Sequence, residues 1–257
     1  MSTSDAKETR KRRRRGSIKP EDILAGAFEV ARRSSLDDLS MPVLAEHLDV
    51  GVTSIYWHFR KKDDLLDAMT DVAAEEFVSR MPAVRADQSW QEMLVEYFCT
   101  ARAICREDEF LSDLLYTRTS TFGRDTAHRI LELIESVLEK LIADGFTSEN
   151  ALKTYNTIAV YVRGVIINDR ILHLANAPTI DPARQRQMAD WSGMPVLSSL
   201  IDHHSLSGTS DEDFKFGLKR LVCGFEDLLR EQSKASSRGE GGARSKGSAK
   251  RAPSKGK

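Results

Sequence analysis

The 257-residue sequence predicts an all-α protein, and three observations predict it. Apolar residues recur at three- and four-residue spacing through most of residues 20–231, while the alternation of a half-buried strand is hard to find. Ala, Leu, Glu, Asp and Arg are plentiful there, and Pro and Gly are scarce. Helix-start signals stand in front of several of the apolar runs.

The first helix begins at "IKPEDILAGAFEVARR". Pro20 suits the first helical position because its missing N–H would have no partner there anyway. Glu21 and Asp22 follow in the first turn, where the helix dipole favours negative charge. Ile18 and Ile23 have the spacing of a hydrophobic staple, and Ile23, Leu24, Ala27, Phe28 and Ala31 make one apolar face. "LSMPVLAEHLDV" predicts a short second helix capped by Ser40, with Leu44, Ala45 and Leu48 facing inward. After the break "VGV", Thr53 to Phe59 form a third helix of barely two turns. Ile55 and Phe59 lie four apart and point into the core, which leaves Thr53, Ser54, Tyr56, Trp57 and His58 on the other side. Asp63 and Asp64 open a fourth helix over about 62–80, and Pro82 follows its end. Further helices are expected at about 89–106, 121–144, 148–175 and 210–231, with a short piece near 108–117. Residues 176–209 hold three of the seven prolines and predict a long connection with one short helix.

The near-neutral total charge is unevenly spread. Residues 1–19 carry eight lysines and arginines against two acids, and 232–257 carry eight against one, so 20–231 has an excess of fourteen acids. The pattern is an acidic folded body with a basic arm at each end; such arms bind nucleic acid or serve as disordered solubilising tails. The expected divisions are a disordered basic arm (1–17), two helical regions (18–80 and 81–231) and a disordered basic tail (232–257). Three cysteines, Cys99, Cys105 and Cys223, have no metal-ligand spacing; they suit a reducing compartment as small buried hydrophobes better than as a redox switch. No metal or cofactor is expected. No run of eighteen apolar residues exists, which predicts a cytoplasmic protein without a membrane partner. Nucleophile-elbow, P-loop, dinucleotide and metal motifs are missing, so an enzyme is not expected.

The second and third helices and their tight break form a helix-turn-helix pattern, whose third helix presents its polar face to the major groove of double-stranded DNA. Thr53 and Ser54 are short enough to reach base edges or phosphates. Tyr56 and His58 offer hydrogen bonds to phosphate, and Trp57 can pack against the sugar-phosphate backbone. Lys62 adds a charge and a helix N-terminus. Ser40, at the start of the second helix, joins the candidate DNA-binding set. Residues 20–70 carry ten acids against five lysines and arginines, which opposes DNA binding. The arm "KRRRRG", with Arg13, Arg14 and Arg15, can offset this by lying in the minor groove, or can act as a nonspecific tether.

From Ile18 to Phe77 the sequence resembles the tetracycline-repressor (TetR) family of bacterial transcriptional regulators. "LSMPVLAEHLDVGVTSIYWHFRKKDDLLDAM" carries the family's L-x-x-L-A-x-x-L-x-V, then aromatic-aromatic-His-Phe, then K-x-x-L-L. The resemblance implies that Val52, Thr53, Ser54, Tyr56, Trp57, His58 and Lys62 fall at DNA-contacting positions, and that Met41 and Pro42 match further ones. Those two depart from the polar or basic residues often found there. Asp49 replaces the glycine frequent in the turn, and Ser35 the one frequent after the first helix; Asp tolerates the left-handed conformation at modest cost.

The resemblance also implies a C-terminal half that dimerises and binds a small effector. Gly217 and Gly224 are seven apart on one face of the last helix, with Leu221 and Leu228 on the same side, and are the expected homodimer interface. Tyr97, Phe98, Tyr116, Phe122, His128, Tyr155, Asn168 and Trp191 are candidates for the pocket of an unidentified effector, with core packing as the competing use of most of them. The function expected is a homodimeric regulator, most often a repressor, released from a palindromic operator by its effector. The alternative from a different class is a helical scaffold whose basic tails bind nucleic acid without sequence preference.

Overall fold

The computed structural model describes residues 18–118, 122–175, 182–204, 206 and 210–245, and all regular structure in them is helical. Among the described residues eleven helices follow in order: α1 Pro20–Arg33, α2 Met41–His47, α3 Val52–His58, α4 Lys62–Arg80, α5 Trp90–Glu107, α6 Glu109–Ser112, α7 Arg124–Ala143, α8 Ser148–Leu174, α9 Pro182–Gln187, α10 Pro195–Leu200 and α11 Asp211–Ser245. A π-helical turn, Asp113–Thr117, continues α6. The expected 1–17 arm, with Arg13, Arg14 and Arg15, lies outside the described residues, as does 246–257.

The chain forms two compact units. The first joins residues up to Arg80 with Ile104–Leu131; the second joins Met81–Ala103 with everything from Glu132 onward. Residues 104–131 thus group with the N-terminal unit, although they fall inside the expected 81–231 division. The reason is local packing: α4 lies against α6 and the π turn.

In the first unit α1 starts as its sequence dictates. The Lys19 N–H donates to Asp22 Oδ2 at 3.2 Å, and Ile18 and Ile23 are both buried at the staple positions. Gly26 lets α2 approach, since a Cβ there would stand 2.6 Å from Leu48 Cδ2. Leu39, Leu44, Ile55, Leu65, Leu66 and Met69 fill the core under α1–α4. Asp49, in the turn between α2 and α3, has φ 52°, the left-handed conformation that the missing glycine would adopt freely.

In the second unit α7 ends on Gly145, whose φ of 107° allows the chain to turn into Phe146, which packs edge-on against Trp90. Arg102, buried on α5, donates from Nε to Asp169 on α8 (3.0 Å) and from a terminal nitrogen to Asp211 at the start of α11 (2.9 Å). Its guanidinium lies over Phe214 at 4.6 Å, and Phe214 stacks on Tyr161. One side chain thus fastens three helices.

Two expectations about the C-terminal region are corrected. Residues 232–245 are helical where a disordered tail from 232 was expected. Extending a formed helix needs no new nucleus. Gln232 also ties this extension to α8. Its Oε1 accepts from Thr147 N (3.2 Å), Thr147 Oγ1 (3.1 Å) and Asn150 Nδ2 (2.5 Å) at the start of that helix. The 176–209 connection carries two short helices, α9 and α10, rather than one. They are bound together by Gln185, which donates to the carbonyls of Ile201 and His204 and accepts from Leu206 N.

Candidate nucleic-acid interface

The periodicity that buries Ile55 and Phe59 decides the rest of α3. With those two residues 0% and 9% exposed, Tyr56 is left 45% and Trp57 84% exposed. Thr53 is exposed too, while Val52, Ser54 and His58 are half-buried. The Trp57 indole meets the His58 ring edge-on at 5.7 Å. The α3 residues therefore form one outward ridge, two aromatic rings wide.

α2 contributes less than expected. Ser40 is the N-cap, its Oγ accepting from Val43 N at 3.4 Å, so its hydroxyl is used in starting the helix. Met41 is only 4% exposed, and its place in the DNA-contacting set is corrected: an apolar chain on the inward face of α2 is packed with Leu44 and Ala45. Pro42 is exposed, and beside it stands Val43, 43% exposed, which was not among the expected contacts. Its position was legible, because 43 falls off the 41–44–45–48 inward face.

The cations are also distributed differently from expectation. Lys62 is half-buried and donates from Nζ to the backbone carbonyl of Asp37 at 3.1 Å, fastening the α1–α2 loop to the start of α4. Within that loop Ser35 Oγ donates to Asp38 Oδ2 (2.8 Å) and accepts from Asp38 N (3.1 Å), so the residue replacing a glycine builds the turn. Lys61 approaches Asp64 at 3.8 Å. Arg60, immediately after α3, is exposed and has no hydrogen-bond or ion-pair partner among the described residues. Among the described residues it is a cation beside the ridge without a partner, although the family pattern favours Lys62. Behind the ridge, His47 Nε2 and Glu29 Oε2 lie 2.9 Å apart, tying α2 to α1.

Of the effector candidates, Tyr97, Phe98, Tyr155, Asn168 and Trp191 belong to the second unit. Tyr97, Phe98 and Tyr155 meet in the second unit with ring centroids 5.1–6.3 Å apart, and pack one another. Burial raises the Tyr155 phenol above its ordinary pKa, offset in part by a hydrogen bond with Tyr97. In the same unit Asn168 is half-buried on α8, and Trp191 donates from Nε1 to the Arg186 carbonyl at 3.0 Å. Tyr116, Phe122 and His128 belong to the first unit. Of the expected dimer residues, Gly217 faces its own chain: a Cβ there would stand 2.2 Å from the Tyr161 hydroxyl. Leu221 and Leu228 are half-buried, while Gly224 has open space before it. Among the described residues no three His, Cys, Asp or Glu side chains gather as metal ligands, and no helix is long and apolar enough to cross a membrane.

Residues 23–69 match the family profile described as bacterial regulatory proteins, tetR family, and residues 82–229 match that of the tetracyclin repressor-like C-terminal domain. An HTH-type transcriptional repressor of Mycobacterium tuberculosis is 38% identical over 238 residues, covering 91% of this chain and 90% of the relative. A possible TetR-family transcriptional regulator from Streptomyces coelicolor shares the fold with a TM-score of 0.65 at 21% identity, over 82% of this chain and all of that one. ActR of the same organism, solved in complex with actinorhodin, superposes with a TM-score of 0.62 at 20% identity, over 82% and 98%.

Proposed function

The chain belongs to the tetR family of bacterial regulatory proteins, and from that premise we propose that it works as a homodimeric repressor that leaves a palindromic operator when a small molecule binds. The observation that carries the reading is the α3 ridge. Tyr56 and Trp57 are exposed side by side on a helix whose opposite face is closed into the core, with Arg60 at its end. A ridge of that shape lies in a major groove, with Thr53 at the base edges and the aromatic rings and Arg60 against the phosphate backbone.

A second copy is supported by the spacing on α8. Val160, Gly164, Ile167, Ile171 and Leu174 recur at intervals of four, three, four and three, which is the seam of a coiled coil. Val160, Ile171 and Leu174 are 69%, 57% and 64% exposed, and Gly164 has open space before it. On α11, Leu221, Gly224 and Leu228 repeat the three-and-four spacing. Two copies docking these seams would bury apolar surface that one copy leaves in water, and twofold symmetry would present two ridges to two half-sites. The repressor sense follows the Mycobacterium tuberculosis relative, and response to a small molecule follows the actinorhodin complex of ActR.

A mobility-shift titration on duplex DNA from the promoter of the neighbouring gene tests this reading. Tyr56→Ala should abolish the shift, while deletion of 1–17 and 246–257 should weaken it without removing sequence preference. The opposite pattern, binding lost with the tails and untouched by Tyr56→Ala, would favour the nonspecific scaffold.

A further inference from the structure

Within the second unit a cavity of about 830 Å³ opens between α5 and α11, apart from the aromatic cluster of Tyr97, Phe98 and Tyr155. Its apolar lining is Val95 on α5 and Leu218 and Val222 on α11, extended by the thiols of Cys99 and Cys223. Burial raises the Cys99 thiol above its ordinary pKa, so it lines the wall as a neutral, polarisable group. A volume of this size suits a drug-sized ligand.

The charges around the cavity differ in what they have left to satisfy. Glu96 accepts from Gln88 Nε2 at 2.5 Å and pairs with Arg85 at 3.3 Å. Glu92 accepts from the N–H (3.1 Å) and hydroxyl (2.7 Å) of Ser89. Glu226 accepts from Gln91 at 2.9 Å and pairs with Arg230 at 3.8 Å, and Asp87 lies 3.9 Å from Arg85. Each lining acid is engaged. Lys215 and Lys219, one turn apart on α11, have no carboxylate partner among the described residues. The lining as a whole carries four acids against three cations, and the two cations without a carboxylate partner stand together on α11 beside the apolar surface.

We propose that this groove binds an amphipathic organic anion, its apolar body on Val95, Leu218 and Val222 and its anionic group between Lys215 and Lys219, and that such a ligand is the effector. The regulatory half of this statement rests on the repressor reading above. The groove also stays accessible in the proposed dimer. At about 100° per residue, the stripe Lys215–Leu218–Lys219–Val222–Cys223–Glu226 centres roughly half a turn around α11 from Gly224 and Leu228. A copy docked on the Gly224 flank leaves the α5 flank open.

The test uses the full-length protein and two fluorescent probes with the same apolar body: 8-anilinonaphthalene-1-sulfonate, which is anionic, and N-phenyl-1-naphthylamine, which is neutral. The sulfonate should bind more tightly than the amine. Lys215→Gln with Lys219→Gln should weaken the sulfonate by about fivefold or more and leave the amine unchanged. Val95→Trp, which fills the groove, should weaken both. A double variant that binds the sulfonate within about twofold of the parent, or a parent that does not distinguish the probes, would overturn the site. Added to a protein–DNA complex, the sulfonate should release DNA from the parent and not from the double variant. Groove binding without release would overturn the regulatory role alone. If the ligand-free protein never binds DNA, it is the repressor reading that fails, and the probe titration still decides the site.

Discussion

An indole ring that stays 84% exposed forgoes roughly 3–5 kcal/mol of burial, taking that share of the 150–250 Å² such a ring can bury at about 25 cal/mol per Å². Trp57 is therefore expected to contribute nothing to stability that would explain its presence. Trp57→Ala should shift the unfolding free energy by less than about 0.5 kcal/mol in a denaturant titration, while DNA affinity falls about tenfold or more. Arg60→Ala should lower affinity more than Lys62→Ala, because one cation is unpartnered and the other already holds the Asp37 carbonyl; anisotropy titrations on the two variants compare them. The left-handed backbone of Asp49 is strained, so Asp49→Gly should raise stability by about 1 kcal/mol. Most of this residue-scale picture was legible, because the four-residue spacing of Ile55 and Phe59 assigns sides on α3. The burial of Met41 and the internal bond of Lys62 were not, since they depend on where the α1–α2 loop and the core beneath α2 come to rest.

Elements are held by a few contacts whose removal has a definable effect. Gly26→Ala places a methyl against Leu48 and should destabilise the first unit by about 1–3 kcal/mol. Arg102→Ala would leave the mostly buried Asp169 without its guanidinium partner and should cost about 3 kcal/mol in the same measurement. Cys105, whose thiol is pushed up to about 12 chiefly by burial, should resist iodoacetamide at mildly alkaline pH in the folded protein and react once unfolded; mass spectrometry after a timed quench reads the difference. The starts of α1 and α2 were legible from Pro20 and Ser40, whose signals are local. The extent of α11 was not, because a Ser/Gly/Lys/Arg composition describes a disordered tail equally well. What distinguishes the two is a distant partner: Gln232 capping the start of α8, 85 residues away from Thr147.

At the scale of the whole molecule, charge works against the proposed function and geometry works for it. Residues 20–231 carry fourteen more acids than bases, so long-range attraction to DNA must come from the two basic ends. Removing 1–17 and 246–257 should flatten the dependence of log affinity on log salt, leaving sequence preference to α3. Aromatic character marks a core as readily as a pocket, and Tyr97, Phe98 and Tyr155 pack one another in the second unit. The groove between α5 and α11 is lined instead by short apolar, thiol and charged side chains that no motif announces. The most direct measurement of the central claim is selection of bound duplexes from a random double-stranded library, with the full chain and with the Tyr56→Ala, Trp57→Ala double variant. The account predicts a twofold-symmetric consensus for the parent and none for the variant. A consensus that survives the double substitution unchanged, or a parent that selects no sequence at all, would contradict it.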